Sequence, residues 1–350
     1  MAGALKGIRI IDLTSMISGP SATMILGDQD AEIIKIENTS VGDYTRIVST
    51  QRSGISAAYL NNNRNKKSVC IDLKAEEGKN ILKKLIGTAD VLVQNFRPGV
   101  MERLGLDYEK TKELNDRLIY CSISGYGQES EDRHRAAHDL NLIAESGILN
   151  LSRRNGERPI LPPIPISDYM SGMLAVISIL SAIYQRDRTG SGQYLDIAML
   201  DSALSSLNVL SSMALYTEKE PLEGGFAYPR ELHNYNVYRT SDDRFLAVAS
   251  LEPAFHKEFL TIICRLDLLN SDLSDDELTE ELAAEIAKKS LAQCINVQVT
   301  RLCLSEMDKA TDGFFAELAD AMERIEHLTL HALPVGMFAA HHASSCSFLT

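Results

Sequence analysis

Short apolar segments recur through the first two hundred residues, and their alternation with helical segments limits the fold more than any other feature. Residues 8–13 read Ile-Arg-Ile-Ile-Asp-Leu, which is typical of a buried strand. A helical segment and a second strand-like segment follow, and this short succession predicts a parallel crossover. Further strand-like segments occur at 68–74, 91–95, 118–124 and 194–197. The pattern predicts an α/β fold with a Rossmann-like large domain at residues 1–215.

The pattern changes beyond residue 215. Residues 216–232 are predicted to be a linker, because most of this segment is rich in Gly, Pro and Glu. Two alternating segments then flank a Ser-Asp-Asp turn, which predicts a β-hairpin, and helical segments follow it. We therefore expect a smaller α+β domain at 233–332 and a short C-terminal tail at 333–350.

Charge and targeting signals limit the possible partners. A net charge of −13 argues against nucleic-acid or anionic-membrane binding through bulk electrostatics. The six cysteines have no zinc-site spacing, and the N-terminus has no recognisable targeting segment. The longest apolar stretch, 173–184, is too short to span a bilayer. We expect a cytoplasmic protein with reduced thiols, no metal site, no nucleic-acid partner and no membrane span.

The segment 126–173 contains the residues most suited to chemistry. His138 and Asp139 open an apolar helical run, and Asp168 stands between an extended apolar segment and a helix predicted at 174–184. The free N–H groups of a helix start stabilise a carboxylate, so Asp168 is interpreted either as a helix N-cap or as a functional carboxylate. His138 is interpreted either as a hydrogen-bonded structural histidine or as a catalyst.

Basic side chains form a second candidate group. Lys66, Lys67 and Arg97 are predicted in loops at the edge of the sheet where open α/β folds bind ligands. Such cations pair well with phosphates, although a solvated basic rim is the alternative interpretation. The turn at Gly19 lacks the GxGxxG pattern, so the sequence does not indicate a nicotinamide or flavin cofactor.

Six short motifs occur in the order in which one known family carries them. They are Gly-Ile-Arg-Ile-Ile-Asp-Leu near the start, Gly-Pro at 19–20, Asn-Arg-Asn-Lys-Lys-Ser at 63–68, Asn-Phe-Arg-Pro-Gly at 95–99, Ser-Gly-Tyr-Gly-Gln at 124–128 and Arg-Thr-Gly-Ser-Gly-Gln at 188–193. With these motifs the chain resembles the family III CoA-transferases, or CaiB/BaiF family. That family includes formyl-CoA transferase, carnitine CoA-transferase and the α-methylacyl-CoA racemases.

The resemblance implies an architecture and a ligand. It implies a Rossmann-like large domain, a smaller second domain and an interlocked homodimer. It also implies a coenzyme A thioester as substrate, with no permanently bound cofactor. The resemblance places residues 71–74 and Arg97 along the CoA site. The full set of predicted CoA- or substrate-binding positions is Lys66, Lys67, Ile71, Asp72, Leu73, Lys74, Arg97, Ala137, Asp139, Leu140, Asn141 and Leu142.

The resemblance also implies the catalytic residues. In the racemases, an aspartate matching Asp168 forms an acid/base pair with a histidine matching His138, in a Gly-His-Asp motif that reads Ala-His-Asp here. A glutamate matching Glu252, in an Ile-Glu-Pro motif that reads Leu-Glu-Pro here, supports that histidine. Inversion of a 2-methylacyl thioester needs one group to remove the α-proton and another to return it on the opposite face. We therefore expect a racemase.

Two alternatives remain open. In the transferases of the family, the aspartate matching Asp168 is a nucleophile that attacks the acyl-CoA thioester. A transferase would need that one carboxylate and would leave His138 and Glu252 without a required role. The second alternative is a non-catalytic protein that binds CoA thioesters.

Overall fold

The computed structural model describes residues 3–48, 50–52, 54–152, 158–218 and 232–295. The chain divides into two compact units, Met1–Arg230 and Glu231–Thr350. Most of the predicted linker at 216–232, the part of the predicted small domain beyond residue 295 and the tail at 333–350 lie outside the described residues. Those domain assignments stay predictions.

The elements of the first unit alternate strands and helices. Its strands are β1 (Arg9–Asp12), β2 (Glu32–Glu37), β3 (Gln51–Arg52), β4 (Ile55–Ser56), β5 (Lys66–Cys70), β6 (Val91–Gln94), β7 (Ile119–Ser124) and β8 (Tyr194–Ala198). Its helices are α1 (Ser18–Gly27), α2 (Ala57–Asn62), α3 (Glu76–Ile86), α4 (Val100–Leu104), α5 (Tyr108–Leu114), α6 (Asp139–Glu145), α7 (Ile148–Leu151), α8 (Ile166–Thr189), α9 (Met199–Ser206) and α10 (Asn208–Thr217).

Six strands form one parallel sheet in the order β5-β2-β1-β6-β7-β8. Numbered by their succession in the chain, these strands lie in the Rossmann order 3-2-1-4-5-6. The order reverses between β1 and β6, and a crevice opens there at the carboxyl ends of the strands. The predicted parallel α/β fold is confirmed.

Helices cover both faces of this sheet. Every residue of β6 and β7 is buried, as expected for central parallel strands. Because side chains alternate along a strand, Ile10 packs in the layer with α1 and α8, while Ile11 packs in the layer with α3. The near-continuous apolar composition of the strands follows from this double coverage.

Helix α8 is longer than the sequence predicted. It begins at Ile166 rather than at residue 174, and its 24 residues are long and apolar enough, by length and composition, to cross a bilayer. The sequence-based prediction considered only residues 173–184 and judged this segment too short to span a bilayer. The helix that contains the segment is longer, so the predicted length was wrong. Small and apolar residues of one face, including Ser171, Ala175 and Ile179, are buried in the first unit. That burial identifies α8 as a core helix of the sheet.

Lys66 and Lys67 do not lie in a loop, and that prediction was wrong. They are the first residues of β5, which pairs with β2 from Ile33 onward. Adjacent residues of a strand point to opposite faces of the sheet, so the side chain of Lys66 is buried while that of Lys67 is exposed. The Lys66 ammonium is buried, lies 3.1 Å from Asp12 Oδ2 and donates to the carbonyl oxygen of Pro20. Lys67 is 72% exposed. Lys66 is thus a buried cation paired with Asp12, and its predicted contact with CoA stays a prediction.

The second unit contains the predicted β-hairpin. Strands β9 (Tyr235–Arg239) and β10 (Phe245–Ala249) pair antiparallel, and β10 buries every second residue. The helices α11 (Pro253–Ile262), α12 (Asp275–Ile286) and α13 (Leu291–Ile295) follow. The core of this unit joins the hairpin to α11 and α12. The described part of this unit contains both strands and helices, and the smaller α+β domain at 233–332 stays a prediction.

The buried pair of Lys66 and Asp12 predicts a large difference between two adjacent lysines. Lys66→Met should lower the free energy of unfolding by about 3–5 kcal/mol, because the buried Asp12 carboxylate loses its cationic partner. Lys67→Met, which removes only an exposed ion pair with Glu32, should cost about 0–1 kcal/mol. Urea denaturation of both variants measures the difference. Equal losses would show that the Lys66–Asp12 pair is not a major source of stability.

Candidate active site

A cavity of about 180 Å³ lies at the carboxyl edge of the parallel sheet. It opens where the strand order reverses, and its walls include residues 16–17 of the loop after β1, the first residue of α1 (Ser18) and the loop after β6 (residues 95–98). The end of β7 and the residues that lead into α6 complete it. Its charged or titratable lining residues are Arg97, Arg133, Arg135, His138, Asp139 and Asp168.

Asp168 is the third residue of α8 and faces this cavity. It is not the N-cap, because that position is Pro165 and no side chain of the cap residue accepts a helix N–H bond. Burial raises the pKa of Asp168 to about 7, and the nearby Asp139 carboxylate adds to the rise. A hydrogen bond from the Ser18 backbone N–H acts in the opposite direction. A carboxyl with a pKa raised in this way suits both the uptake and the release of a proton near neutral pH.

The start of α8 is capped from another helix. Asp139, the first residue of α6, accepts hydrogen bonds through Oδ1 from the Ser167 N–H at 2.6 Å, the Ser167 Oγ at 2.7 Å and the Asp168 N–H at 3.3 Å. The N-cap role that the sequence suggested for Asp168 thus belongs to Asp139. This capping arrangement joins two elements that are 28 residues apart in the chain.

His138 is the N-cap residue of α6, and its side chain is exposed to the cavity. Its backbone N–H donates to Asn141 Oδ1 at 2.6 Å, which fixes the start of the helix. His138 and Asp168 therefore line the same cavity, and the catalytic pairing that the family resemblance implies for them stays a prediction.

The other predicted binding residues near His138 divide into three groups. Ala137 and Asp139 line the cavity. Leu142 is fully buried in the core, and its predicted substrate contact stays a prediction. Leu140 is 49% exposed outside the cavity lining, and Asn141 is occupied in capping α6.

The predicted CoA-binding residues do not form one cluster. Arg97 lines the cavity and also a neighbouring cavity of about 330 Å³. Within the described residues, its guanidinium forms no hydrogen bond or ion pair. Residues 71–74 follow β5 at the same sheet edge but line neither cavity, and Ile71 is buried there while Asp72 accepts from the Lys74 N–H.

Glu252 belongs to the second unit. It is the N-cap residue of α11, its side chain is exposed, and Pro253 occupies the first helical position. Its predicted catalytic role stays a prediction. In the described part of the chain, no group of three or more His, Cys, Asp or Glu side chains is arranged to hold a metal ion.

Sequence reasoning missed two arginines of the cavity, Arg133 and Arg135. Arg135 is paired with Glu145 at 2.7 Å and Asp132 at 3.1 Å, and it stacks on the Tyr126 ring. Arg133 contacts the neighbouring His134 ring. Their position just before the Ala-His-Asp motif at 137–139 is the feature of the sequence that could have indicated a place in the cavity.

Comparison with known proteins gives consistent results over most of the chain. Residues 5–340 match the sequence pattern of CoA-transferase family III. The chain is 35% identical to mouse succinyl-CoA:glutarate CoA-transferase over 343 residues, which cover 93% of the chain and 74% of that protein. It is 32% identical to human α-methylacyl-CoA racemase over 302 residues, which cover 83% of the chain and 74% of that protein.

Other relatives agree in sequence and in fold. A match to the human succinyl-CoA:glutarate CoA-transferase covers 59% of that protein. The solved structure of Rv3272 from Mycobacterium tuberculosis has a TM-score of 0.77 and 29% identity, and the match covers 91% of this chain and 88% of that one. A CAIB/BAIF family protein from Brucella suis has a TM-score of 0.74 and 27% identity, with 92% and 82% covered.

The raised pKa of Asp168 predicts a stability change with pH. Its folded-state pKa of about 7 lies above the unfolded value of about 3.9, so stability falls as pH rises between these two values. Asp168→Asn should therefore raise the free energy of unfolding by about 1–3 kcal/mol at pH 8 and give no gain at pH 4. Urea unfolding at both pH values measures this.

Asp187→Asn is the matched control on the same helix. Its side chain is 62% exposed, and the substitution should change the free energy of unfolding by less than about 0.5 kcal/mol at either pH. A pH-independent effect of Asp168→Asn would mean that the pKa of this carboxyl is the same in the folded and the unfolded protein.

Proposed function

The chain belongs to CoA-transferase family III, and on that premise we propose that it is an acyl-CoA enzyme that inverts C2 of 2-methylacyl-CoA thioesters. The observation that carries this proposal is the presence of His138 and Asp168 on the walls of one cavity. Both are proton-carrying groups, and Asp168 has a pKa of about 7. A general acid or base works best when its pKa is near the working pH.

The proposed reaction moves one proton off the α-carbon and one proton onto it. In one direction, ionised Asp168 removes the α-proton, and the C–H electrons move into the thioester carbonyl to form an enolate. Protonated His138 then delivers a proton to the opposite face of the same carbon. In the reverse direction the two residues exchange roles. Glu252 stays a predicted orienting residue for the histidine on the strength of the family resemblance.

Arg97 is the proposed anchor for a CoA phosphate. It lines both cavities, and within the described residues no carboxylate neutralises its charge. A planar guanidinium matches phosphate oxygens in a bidentate arrangement. CoA is a substrate in this proposal and is released at each turnover.

CoA transfer is the second candidate function, and the relatives favour it. Relatives named as CoA-transferases act, by their names, on succinyl-CoA with glutarate or malate and on acetyl-CoA with oxalate. Asp168 would then attack the thioester carbonyl, expel the CoA thiolate and form an aspartyl anhydride. We rank this second because transfer requires only the Asp168 carboxylate and leaves His138, on the wall of the same cavity, without a required role.

Proton exchange separates the two functions. The protein, incubated with a 2-methylacyl-CoA in deuterated water without a carboxylic acid, should remove the α-proton signal in the NMR spectrum and invert C2. His138→Gln and Asp168→Asn should each lower the exchange rate by at least about 100-fold, since each removes a proton carrier. His134→Gln, in the same loop but outside the cavity lining, is the matched control and should retain the rate.

The opposite results identify the alternatives. Exchange that is unchanged in His138→Gln would refute the two-group mechanism. No exchange, with CoA transfer after carboxylic acids are added, would make Asp168 a nucleophile. No turnover in either assay with a series of acyl-CoAs would indicate the non-catalytic binding protein.

We also propose the homodimer that the family resemblance implies. The first unit exposes apolar side chains along α8 and α10, and exposed apolar patches of this kind mark interaction surfaces. The α8 residues follow one stripe at helical spacing. The exposed apolar residues of these two helices are Tyr169, Met173, Ile177, Tyr184, Val209, Met213, Leu215 and Tyr216.

Light scattering tests the assembly. The mass in solution should be twice the 38.6 kDa of one chain. Ile177→Glu, which adds a charge to the exposed stripe, should lower the melting temperature more than Gln185→Glu, which adds the same charge at a polar exposed position of α8. A monomeric wild-type protein would contradict the proposal, and equal effects of both variants would exclude the stripe as the interface.

A further inference from the structure

We propose that Asp139 is a positioning residue, which fixes the first turn of α8 and thereby controls how readily Asp168 takes up a proton. The inference deepens the proposed function, because Asp168 is the reactive carboxyl in both the racemase and the transferase interpretation. The family resemblance places Asp139 among substrate contacts, whereas its carboxylate here is occupied by the protein itself.

One carboxylate oxygen of Asp139 contacts three donor groups at the start of α8. One oxygen, Oδ1, accepts from the Ser167 N–H at 2.6 Å and from the Ser167 Oγ at 2.7 Å. The same oxygen lies 3.3 Å from the Asp168 N–H. Ser167 is fully buried, so these donors have no access to bulk water. Three donors of one helix start therefore depend on a carboxylate from a different helix.

The position of this carboxylate changes what the helix start does to Asp168. Free N–H groups and the helix dipole at the start of a helix normally stabilise a nearby negative charge. At α8, the Ser167 and Asp168 N–H groups point to Asp139 and are occupied by it. Asp168 thus loses the donors that would favour its ionised form, and it also gains a negative neighbour.

The remaining charged groups of the cavity do not produce the same effect. Arg135 is paired with two carboxylates, and the cations Arg97 and Arg133 would favour an ionised Asp168. His138, when protonated, acts in the same direction as these arginines. Burial and Asp139 are the two influences that oppose ionisation, and they are the two that raise the pKa of Asp168.

Asp139 thus has two effects: its oxygen holds the first turn of α8, and its negative charge opposes the ionisation of Asp168. If Asp139 were neutral but still able to accept hydrogen bonds, the first turn of α8 would keep its shape while Asp168 would ionise more easily. If Asp139 were only a structural cap, removing its charge while keeping its hydrogen bonds would leave the ionisation of Asp168 unchanged. The substitution Asp139→Asn makes this change, since its amide oxygen retains an acceptor at the same place.

The test is a direct titration of Asp168. Protein labelled with ¹³C at the aspartate carboxyl carbons is titrated by NMR, and the signal lost in Asp168→Asn identifies the residue. In Asp139→Asn the titration midpoint of Asp168 should fall by about one pH unit. Ser167→Ala is the matched control: it removes one hydroxyl donor to Asp139 and keeps the charge, so the Asp168 midpoint should not fall.

The outcomes distinguish this inference from the proposed function. An unchanged midpoint in Asp139→Asn, with a native circular dichroism spectrum, would overturn the role of Asp139. A fall in both Asp139→Asn and Ser167→Ala would overturn it as well, because the hydroxyl contact rather than the charge would then control Asp168. The titration needs no turnover, so it remains valid if the enzyme proves to be a transferase.

An activity readout complements the titration. The acid limb of the pH–rate profile, for proton exchange or for CoA transfer, should move to lower pH in Asp139→Asn by the same shift as the NMR midpoint. A uniform loss of rate without a shift would indicate a structural role only.

Discussion

The close packing of α8 on α1 is the contact on which the candidate site depends. At Gly172 the helices approach so closely that a Cβ atom would lie 2.5 Å from Ser21 Oγ and 2.8 Å from the Ser18 carbonyl oxygen. Helix α1 begins just after the loop that follows β1, at the point where the strand order reverses. The contact therefore brings the first turn of α8, with Asp168, to the natural binding crevice of the sheet. Without a small residue at 172, Asp168 would move away from the Ser18 N–H.

The parallel sheet was predictable from the sequence, because it follows from the local apolar pattern, whereas the grouping of His138 with Asp168 was implied by the family resemblance. Strands buried on both faces are almost uniformly apolar, and the carboxyl ends of such strands gather the loops that carry function. Lys66 was assigned wrongly for a definite reason. Its polar neighbours indicate a loop, and its partner Asp12 lies 54 residues earlier in the chain. An ion pair between residues so far apart in the sequence cannot be recognised from the residues next to Lys66.

Asp168 shows the same limit in another form. An aspartate before an apolar helix is a strong N-cap signal, and in this protein the capping carboxylate comes from Asp139 on a different helix. The local sequence around Asp139 and Asp168 does not reveal which of the two carboxylates accepts the hydrogen bonds of the first turn of α8. That choice is made by the packing of α6 against α8, and it decides which carboxylate is stabilised and which is left reactive.

A single buried carboxyl with a raised pKa is compatible with both chemistries of the family, so Asp168 cannot distinguish them. The difference lies in whether a second proton carrier faces the same carbon. His138 supplies such a group on the wall of the cavity, and its backbone is fixed by Asn141 at the start of α6. Because α6 also supplies Asp139, one short helix start both presents the imidazole and restrains the ionisation of Asp168. A transferase requires only the ionised form of Asp168, whereas a racemase requires Asp168 in both protonation states and the imidazole as the second proton carrier.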